Sequence, residues 1–249
     1  MTTRVALVTG SSRGIGRAIA IRLAGDGCAV AVNYRERRDE ADEVVDAIMR
    51  ADGRAVAVGA DLASASDCSR LVESAQALGP IDILVNNAGI FRKGDIADFD
   101  YAQMAAMSSV NIDGLVHVTR AVVKDMQTRR WGRIVNIASV AGMGMSTVGT
   151  TFYSATKAAV ISLTRRFALD LGQHGITVNA IAPGFIATDM AKQSGADFGA
   201  IAAKAMMRRV GAPEDIAAAT SFLAGEDAGF ITAQVLTVDG GRTDYIGHS

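Results

Sequence analysis

At 249 residues the chain is long enough for one α/β domain with a fully buried sheet, and 49% hydrophobic with 20% charged residues is ordinary for a globular protein. A formal net charge of −1 excludes a strong basic field for nucleic acid or an anionic membrane surface. No segment reaches the run of about 20 apolar residues that a membrane-spanning helix requires.

The segment RVALVT at 4–9 is a β-branched run suited to a strand buried on both faces, and with Met1 to Arg4 leading straight into it no leader is expected. A glycine-rich turn at 10–16 and a helix at 17–24 follow. The next predicted strand is 28–34, then an amphipathic helix at 39–50 that is acidic at its start, as the helix dipole favours. Strand three is 54–60, and Ser64 is placed to cap the following helix. Strand four, 81–85, runs into Asn86-Asn87-Ala88-Gly89. A long helix is predicted over 101–129, strand five over 133–138, a helix over 153–172 and strand six over 177–182. Pro213 suits the first position of a helix at 214–223, and 234–238 is the last strand.

Strands separated by helices imply parallel pairing through right-handed crossovers. The expected fold is therefore a single-domain (1–249), Rossmann-like, doubly wound parallel sheet of about seven strands with helices on both faces. In such a fold ligands bind beyond the carboxyl ends of the strands, where the strand order reverses. Cys28 and Cys68 lack CxxC spacing and the three histidines are scattered, so reduced thiols in a cytoplasmic protein without a metal site are expected.

Between the first strand and helix lies Thr9-Gly10-Ser11-Ser12-Arg13-Gly14-Ile15-Gly16. Gly10 allows a tight exit from the strand, and Gly14 and Gly16 let the backbone approach a pyrophosphate at the helix N-terminus. An isolated glycine cluster could equally be a plain loop, and the spacing is not G-x-G-x-x-G. This turn resembles the TGxxxGxG turn of the short-chain dehydrogenase/reductase family. So does the rest of the chain, in order: Asn86-Asn87-Ala88-Gly89 resembles NNAG, Asn111 the helix asparagine, and Ser139 the catalytic serine. Tyr153-Ser154-Ala155-Thr156-Lys157 resembles YxxxK, and Pro183-Gly184 the PG after strand six. The resemblance spans essentially the whole chain, most closely that of 3-oxoacyl-acyl-carrier-protein reductases.

The resemblance implies an NADP(H)-dependent oxidoreductase. Strand two ends Asn33-Tyr34-Arg35 with no carboxylate at its tip, so Arg13 and Arg35 can converge on a ribose 2′-phosphate. Both could also be solvated surface arginines, the reading preferred for Arg37 and Arg38. Asp61 resembles the family's adenine contact, with Leu62 beside the ring. Ser12, Ile15, Asn87, Ala88, Gly89, Pro183, Gly184 and Ile186 complete the implied cofactor set, with Thr188 on the carboxamide.

Tyr153 and Lys157 are four apart and share a helix face. An ammonium beside a phenol, whose ordinary pKa is near 10, should pull it toward neutrality. Lys157 can also hold the nicotinamide ribose, alongside Tyr153. Ser139 would stabilise developing alkoxide on the substrate oxygen, and Asn111 resembles the family residue that supports a proton-relay water. In reduction, hydride reaches the carbonyl carbon and Tyr153 supplies the proton. Ser139 and Tyr153 are 14 positions apart, one more than is commonest in the family, and the loop over the site should absorb the extra length.

Phe91, Met143, Met145, Phe152 and Phe185 fall near these residues and could line an apolar substrate pocket, although methionine fills cores equally well. Residues 190–205 would form a mobile lid. The resemblance implies a ketone or 3-oxoacyl thioester substrate, a homotetramer paired through the long helices, a tail after Gly241 reaching a neighbour, and docking of an acyl carrier protein. Arg129 and Arg130 match one basic docking position, whereas His174 stands at the other. A general carbonyl reductase, or an alcohol or sugar dehydrogenase, and a non-catalytic NADP-sensing regulator are the alternatives.

Overall fold

The computed structural model describes residues 3–145, 148–189, 191 and 197–242. Apolar runs become the strands β1 (Val5–Val8), β2 (Ala29–Tyr34), β3 (Arg54–Gly59), β4 (Ile81–Asn86), β5 (Gly132–Ile137), β6 (Ile176–Pro183) and β7 (Val235–Val238). They form one parallel seven-stranded sheet in the order β3-β2-β1-β4-β5-β6-β7. The order reverses at β1, which pairs with β2 on one side and β4 on the other. A crevice opens at that point because the crossovers leave in opposite directions.

Both faces are covered. Side chains alternate across a strand, so Ala6 and Val8 pack into one core and Val5 and Leu7 into the other. The first core is closed by α1 (Gly14–Gly25), α2 (Arg38–Arg50) and the helix at Pro213–Ala224, through Ile19, Val44 and Ile216. The second is closed by α3 (Ala65–Ala75), α5 (Leu115–Arg129) and α6 (Thr151–Leu171), through Leu71, Val118 and Leu171. Ser64 caps α3 by accepting the Asp67 amide hydrogen. Both cysteines are buried free thiols, pushed up to about 11 mainly by desolvation.

The helix expected over 101–129 is not continuous. It comprises α4 (Tyr101–Ser108), a π-helical segment at Ser109–Gly114 and then α5. Widening the helix there turns Asn111 inward, where it is 2% exposed. Part of the expected lid is described: a short helix α7 (Phe198–Ala203), with α8 being Pro213–Ala224. Residues 190 and 192–196 of that lid, and the tail from 243, lie outside the described residues. Among the described residues no helix is long and apolar enough to cross a membrane.

Candidate active site

Beyond the carboxyl ends of β1, β4, β5 and β6 lies a cleft of about 880 Å³. Every residue expected to hold the cofactor lines it, as do Ser139, Tyr153 and Lys157.

At one end is the turn leaving β1. Gly10 adopts φ +60°, and a Cβ there would stand 2.9 Å from the Ala88 Cα, so the turn and the strand-four loop can touch only through glycine. Asn33 and Asn87 brace this turn. Asn33 Oδ1 accepts the Gly10 amide hydrogen at 3.0 Å, and Asn87 Nδ2 donates to the Thr9 and Gly10 carbonyls at 2.9 and 3.0 Å. Both side-chain amides are thereby committed to the fold while their residues line the cleft. No side chain caps the N-terminus of α1, which leaves its first amides directed at the cleft. Uncapped amides with a partial positive charge suit a pyrophosphate, so this end fits a dinucleotide.

Arg13 and Arg35 line the same end, both well exposed. Arg35 pairs with Glu36 at 2.6 Å and Arg13 reaches Asp189 at 3.5 Å. These are surface pairs, weak enough for a dianionic phosphate to replace them. Arg37, expected to be merely solvated, also lines this end and pairs with Glu40. Its position follows from the turn between β2 and α2, for which the sequence offers no periodic signal. Asp61 accepts the Ala63 amide hydrogen at 3.0 Å, and Thr188 accepts that of Ala191 at 3.4 Å.

Midway along the cleft, Ser139 follows β5 and Tyr153 and Lys157 project from α6. The Ser139 hydroxyl acts on the Tyr153 phenol and favours its ionised form. A short 3-10 turn at Val140–Met143 follows Ser139 and packs flush on α6. A Cβ on Gly142 would lie 2.5 Å from the Lys157 carbonyl carbon, so this contact fixes serine, tyrosine and lysine as one unit. Despite the wider Ser139-to-Tyr153 spacing both residues line the same cleft; residues 146–147 of that loop lie outside the described residues.

Lys157 is 4% exposed and donates to the Ile137 carbonyl at 2.8 Å. Burial lowers it from 10.5 to about 8. The Tyr153 phenol, by contrast, is pushed up from 10.0 to about 12, because desolvation outweighs the lowering effect of the Ser139 hydroxyl. The expected pull of the ammonium toward neutrality is thus overturned in this state: Lys157 Nζ is 5.8 Å from the Tyr153 ring centroid, and burial of the phenol wins.

Asn111 does not line the cleft. Its Nδ2 donates to the Ile90 carbonyl and to Thr156 Oγ1, both at 3.0 Å, and its Oδ1 accepts the Ile90 amide hydrogen at 2.8 Å. Thr156 in turn donates to the Tyr153 carbonyl at 2.8 Å. Buried Thr156, not singled out from the sequence, thereby links the strand-four loop to the helix carrying Tyr153. Thr156→Val is expected to lower kcat roughly tenfold, with KM for the nicotinamide cofactor nearly unchanged and Thr156→Ser retaining activity. Steady-state kinetics on the two variants check this.

The apolar end is lined by Phe91, Met145 and Phe185, with Ile90, Val148 and Ile201 added by the fold. Phe91 meets Tyr153 edge to face, centroids 5.3 Å apart. Two expected pocket residues do not belong there. Met143 is exposed, with its sulfur accepting the Thr237 hydroxyl at 3.6 Å, and Phe152 stacks on Phe99 at 3.5 Å. Arg129, matched above to a docking position, is turned inward to Asp82, Asp125 and the Ile81 carbonyl. Arg130 is exposed and donates to the Gln173 carbonyl at 3.1 Å.

Fold and site together define a Rossmann-type oxidoreductase. The chain belongs to the short chain dehydrogenase family, which matches residues 4–198. It is 44% identical over 247 residues to a 3-oxoacyl-(acyl-carrier-protein) reductase of Synechocystis sp., covering 98% of this chain and 99% of that one. It is 41% identical over 241 residues to an acetoacetyl-CoA reductase of Allochromatium vinosum, covering 96% and 98%. Among solved structures, a blue fluorescent protein from a metagenomic library in complex with NADPH is similar at a TM-score of 0.89. Its sequence identity is 38%, over 96% of this chain and 97% of that one.

Proposed function

We propose that the chain reduces the ketone of a 3-oxoacyl thioester to a secondary alcohol with NADPH. The observation that carries this reading is Ser139, Tyr153 and Lys157 together on the wall of a cleft with a glycine turn and two arginines at one end and apolar side chains at the other. When bound, the reduced nicotinamide supplies a hydride to the carbonyl carbon.

The protein's own groups do the rest. Tyr153 keeps its proton through the neutral range and delivers it from Oη to the substrate oxygen as that oxygen gains charge. The Ser139 hydroxyl donates to the same oxygen and stabilises it. Lys157 Nζ carries three N–H donors, one of them used on Ile137, and lines the cleft space beside Gly89, where a Cβ would lie 3.4 Å from it. That space suits the nicotinamide ribose hydroxyls. Arg13 and Arg35 would take the 2′-phosphate, and the first amides of α1 the pyrophosphate. In this reading 1–249 is one domain acting in the cytoplasm as a homotetramer. Self-association is supported by large apolar side chains left exposed, Leu169 on α6 and Phe230.

The test is NADPH consumption with an acetoacetyl thioester against simple ketones. Preference for the thioester is expected; preference for plain ketones would make the chain a general carbonyl reductase. NADPH binding without turnover on any substrate would make it a sensor. Arg35→Ala is expected to raise KM for NADPH roughly tenfold and leave that for NADH nearly unchanged, since only NADPH carries the extra phosphate. Equal effects on both would remove Arg35 from the phosphate site.

A further inference from the structure

Beneath the cleft, a chain of buried polar side chains crosses four elements and takes no part in the chemistry above. Asn86 ends β4, Asn136 lies on β5, Thr119 on α5 and Thr164 on α6, and none is more than 4% exposed. The Thr164 hydroxyl donates to the Val160 carbonyl at 2.8 Å, so its oxygen accepts from Asn136 Nδ2 at 2.9 Å. Asn136 Oδ1 then accepts from Asn86 Nδ2 at 2.8 Å, and Asn86 Nδ2 also donates to Thr119 Oγ1 at 3.0 Å. Each amide is thereby locked in one orientation. Asn86 Oδ1 is left buried without a hydrogen-bond partner among the described residues. A core built for stability alone would fill this space with apolar side chains, because an unpaired buried acceptor is costly. A local rule broken in this way marks a functional demand.

The demand is geometric. The helix α6 carries Tyr153 and Lys157 and rests on the sheet through apolar residues, with Val160 and Ile161 in one cluster with Ala138 and Ala180. Such contacts are non-directional, so they fix the distance between helix and sheet better than the register. Two directional bonds set the register: Asn136 to Thr164, and Lys157 Nζ to the Ile137 carbonyl at 2.8 Å. Their ends are neighbours on the strand and about two turns apart on the helix, so together they oppose both sliding and rotation of α6 over β5. On the far side of the ladder, Asn86 is followed by Asn87, which braces the glycine turn through the Thr9 and Gly10 carbonyls. The ladder thus connects the helix bearing the catalytic pair to the turn that fits the dinucleotide.

We propose that Asn136 and Thr164 are positioning residues, which hold α6 in the register that presents Tyr153 and Lys157 to the cleft. The inference rests on the reading of Tyr153 and Lys157 above and adds what keeps them in place.

The experiment compares kcat and KM for NADPH in Thr164→Val, Thr164→Ser, Thr220→Val and Lys157→Met, on an acetoacetyl thioester or, if the chain prefers it, a plain ketone. Thr220 is the matched control: it is equally buried, and its hydroxyl donates to the Ile216 carbonyl at 2.8 Å on α8, away from the ladder. Valine at 164 keeps the shape of the side chain but leaves Asn136 Nδ2 without its acceptor. Thr164→Val is expected to lower kcat roughly tenfold, with KM for NADPH within about threefold of wild type, because the glycine turn, Arg13 and Arg35 hold the other end of the cofactor. Thr164→Ser, which restores the acceptor, should keep kcat within about twofold of wild type, as should Thr220→Val. Assays well below the Tm of each variant keep unfolding out of the comparison, and Thr164→Ala removes the same oxygen should the valine variant not fold. Wild-type kcat in the folded variant lacking the hydroxyl, or an equal loss in Thr164→Ser or Thr220→Val, would overturn the positioning role. Turnover retained in Lys157→Met would instead overturn the reading beneath it.

Discussion

Tyr153→Phe is expected to lower kcat by roughly 10²–10⁴-fold while NADPH binding stays close to wild type. The phenylalanine ring preserves the edge-to-face contact with Phe91, and Ser139 keeps its bond from the Ala141 amide at 3.1 Å, so the wall of the cleft survives the substitution. What disappears is the phenolic proton that the proposed reaction passes to the substrate oxygen. That phenol sits at about 12 against an ordinary 10, so it remains an acid throughout the neutral range. The same displacement affects stability. A group whose pKa is raised by folding stabilises the native state below its unfolded value, and that contribution is lost as pH rises from about 10 through about 12. The variant should therefore also lose less stability than wild type above pH 10. Stopped-flow or steady-state turnover, with fluorescence titration of NADPH, checks the first effect. A variant retaining more than about a tenth of wild-type turnover would take the proton donor away from Tyr153.

Much of this site was legible because the decisive signals are local. A glycine turn directly after an apolar strand, and tyrosine and lysine four apart on a helix, each need only a few neighbouring residues to be recognised. The sheet was legible for a related reason: strands buried on both faces read as continuous apolar runs. What the sequence hid depends on rotation or on distant partners. Residues one apart on a helix point about 100° from each other, so once Tyr153 faces the cleft, Phe152 must face elsewhere, and it meets Phe99. The inward turn of Asn111 comes from a π-helical segment that adds no mark to the hydrophobic pattern. Arg129 reaches Asp82, 47 positions away, which no local reading reveals. The raised phenol is hidden for a different reason: pairing chemistry suggests attraction, whereas the outcome is set by how much water the fold removes.

Lys157→Met should separate stability from activity, raising the first and nearly abolishing the second. The ammonium is buried with a backbone carbonyl as its hydrogen-bond acceptor, and burial drives it from 10.5 down to about 8. The unfolded chain therefore holds a proton that the folded chain has released between about pH 8 and 10.5, so native stability rises with pH across that window. Below pH 8 the full cost of the buried charge is present, roughly 3 kcal/mol at neutral pH. Methionine has a similar length and no charge, and its main penalty is the hydrogen bond lost by the Ile137 carbonyl, about 1 kcal/mol. A net gain of roughly 2 kcal/mol corresponds to a Tm higher by roughly 4–8 °C for a chain of this size at pH 7. The gain should shrink at pH 9.5, where the wild-type lysine is already mostly neutral in the fold. Turnover should fall by roughly 10²-fold or more, since the ammonium donors on the cleft wall beside Gly89 are gone. Thermal melts at the two pH values, paired with kcat, decide the matter. A lower Tm at pH 7 would mean that the ammonium is stabilised in the fold by more than its carbonyl, and the stability argument would fail. A higher Tm with turnover intact would leave the melt explained and remove Lys157 from the chemistry. The expected combination identifies Lys157 as a destabilising residue kept for function, the trade common where an active site needs a charge that the core would exclude.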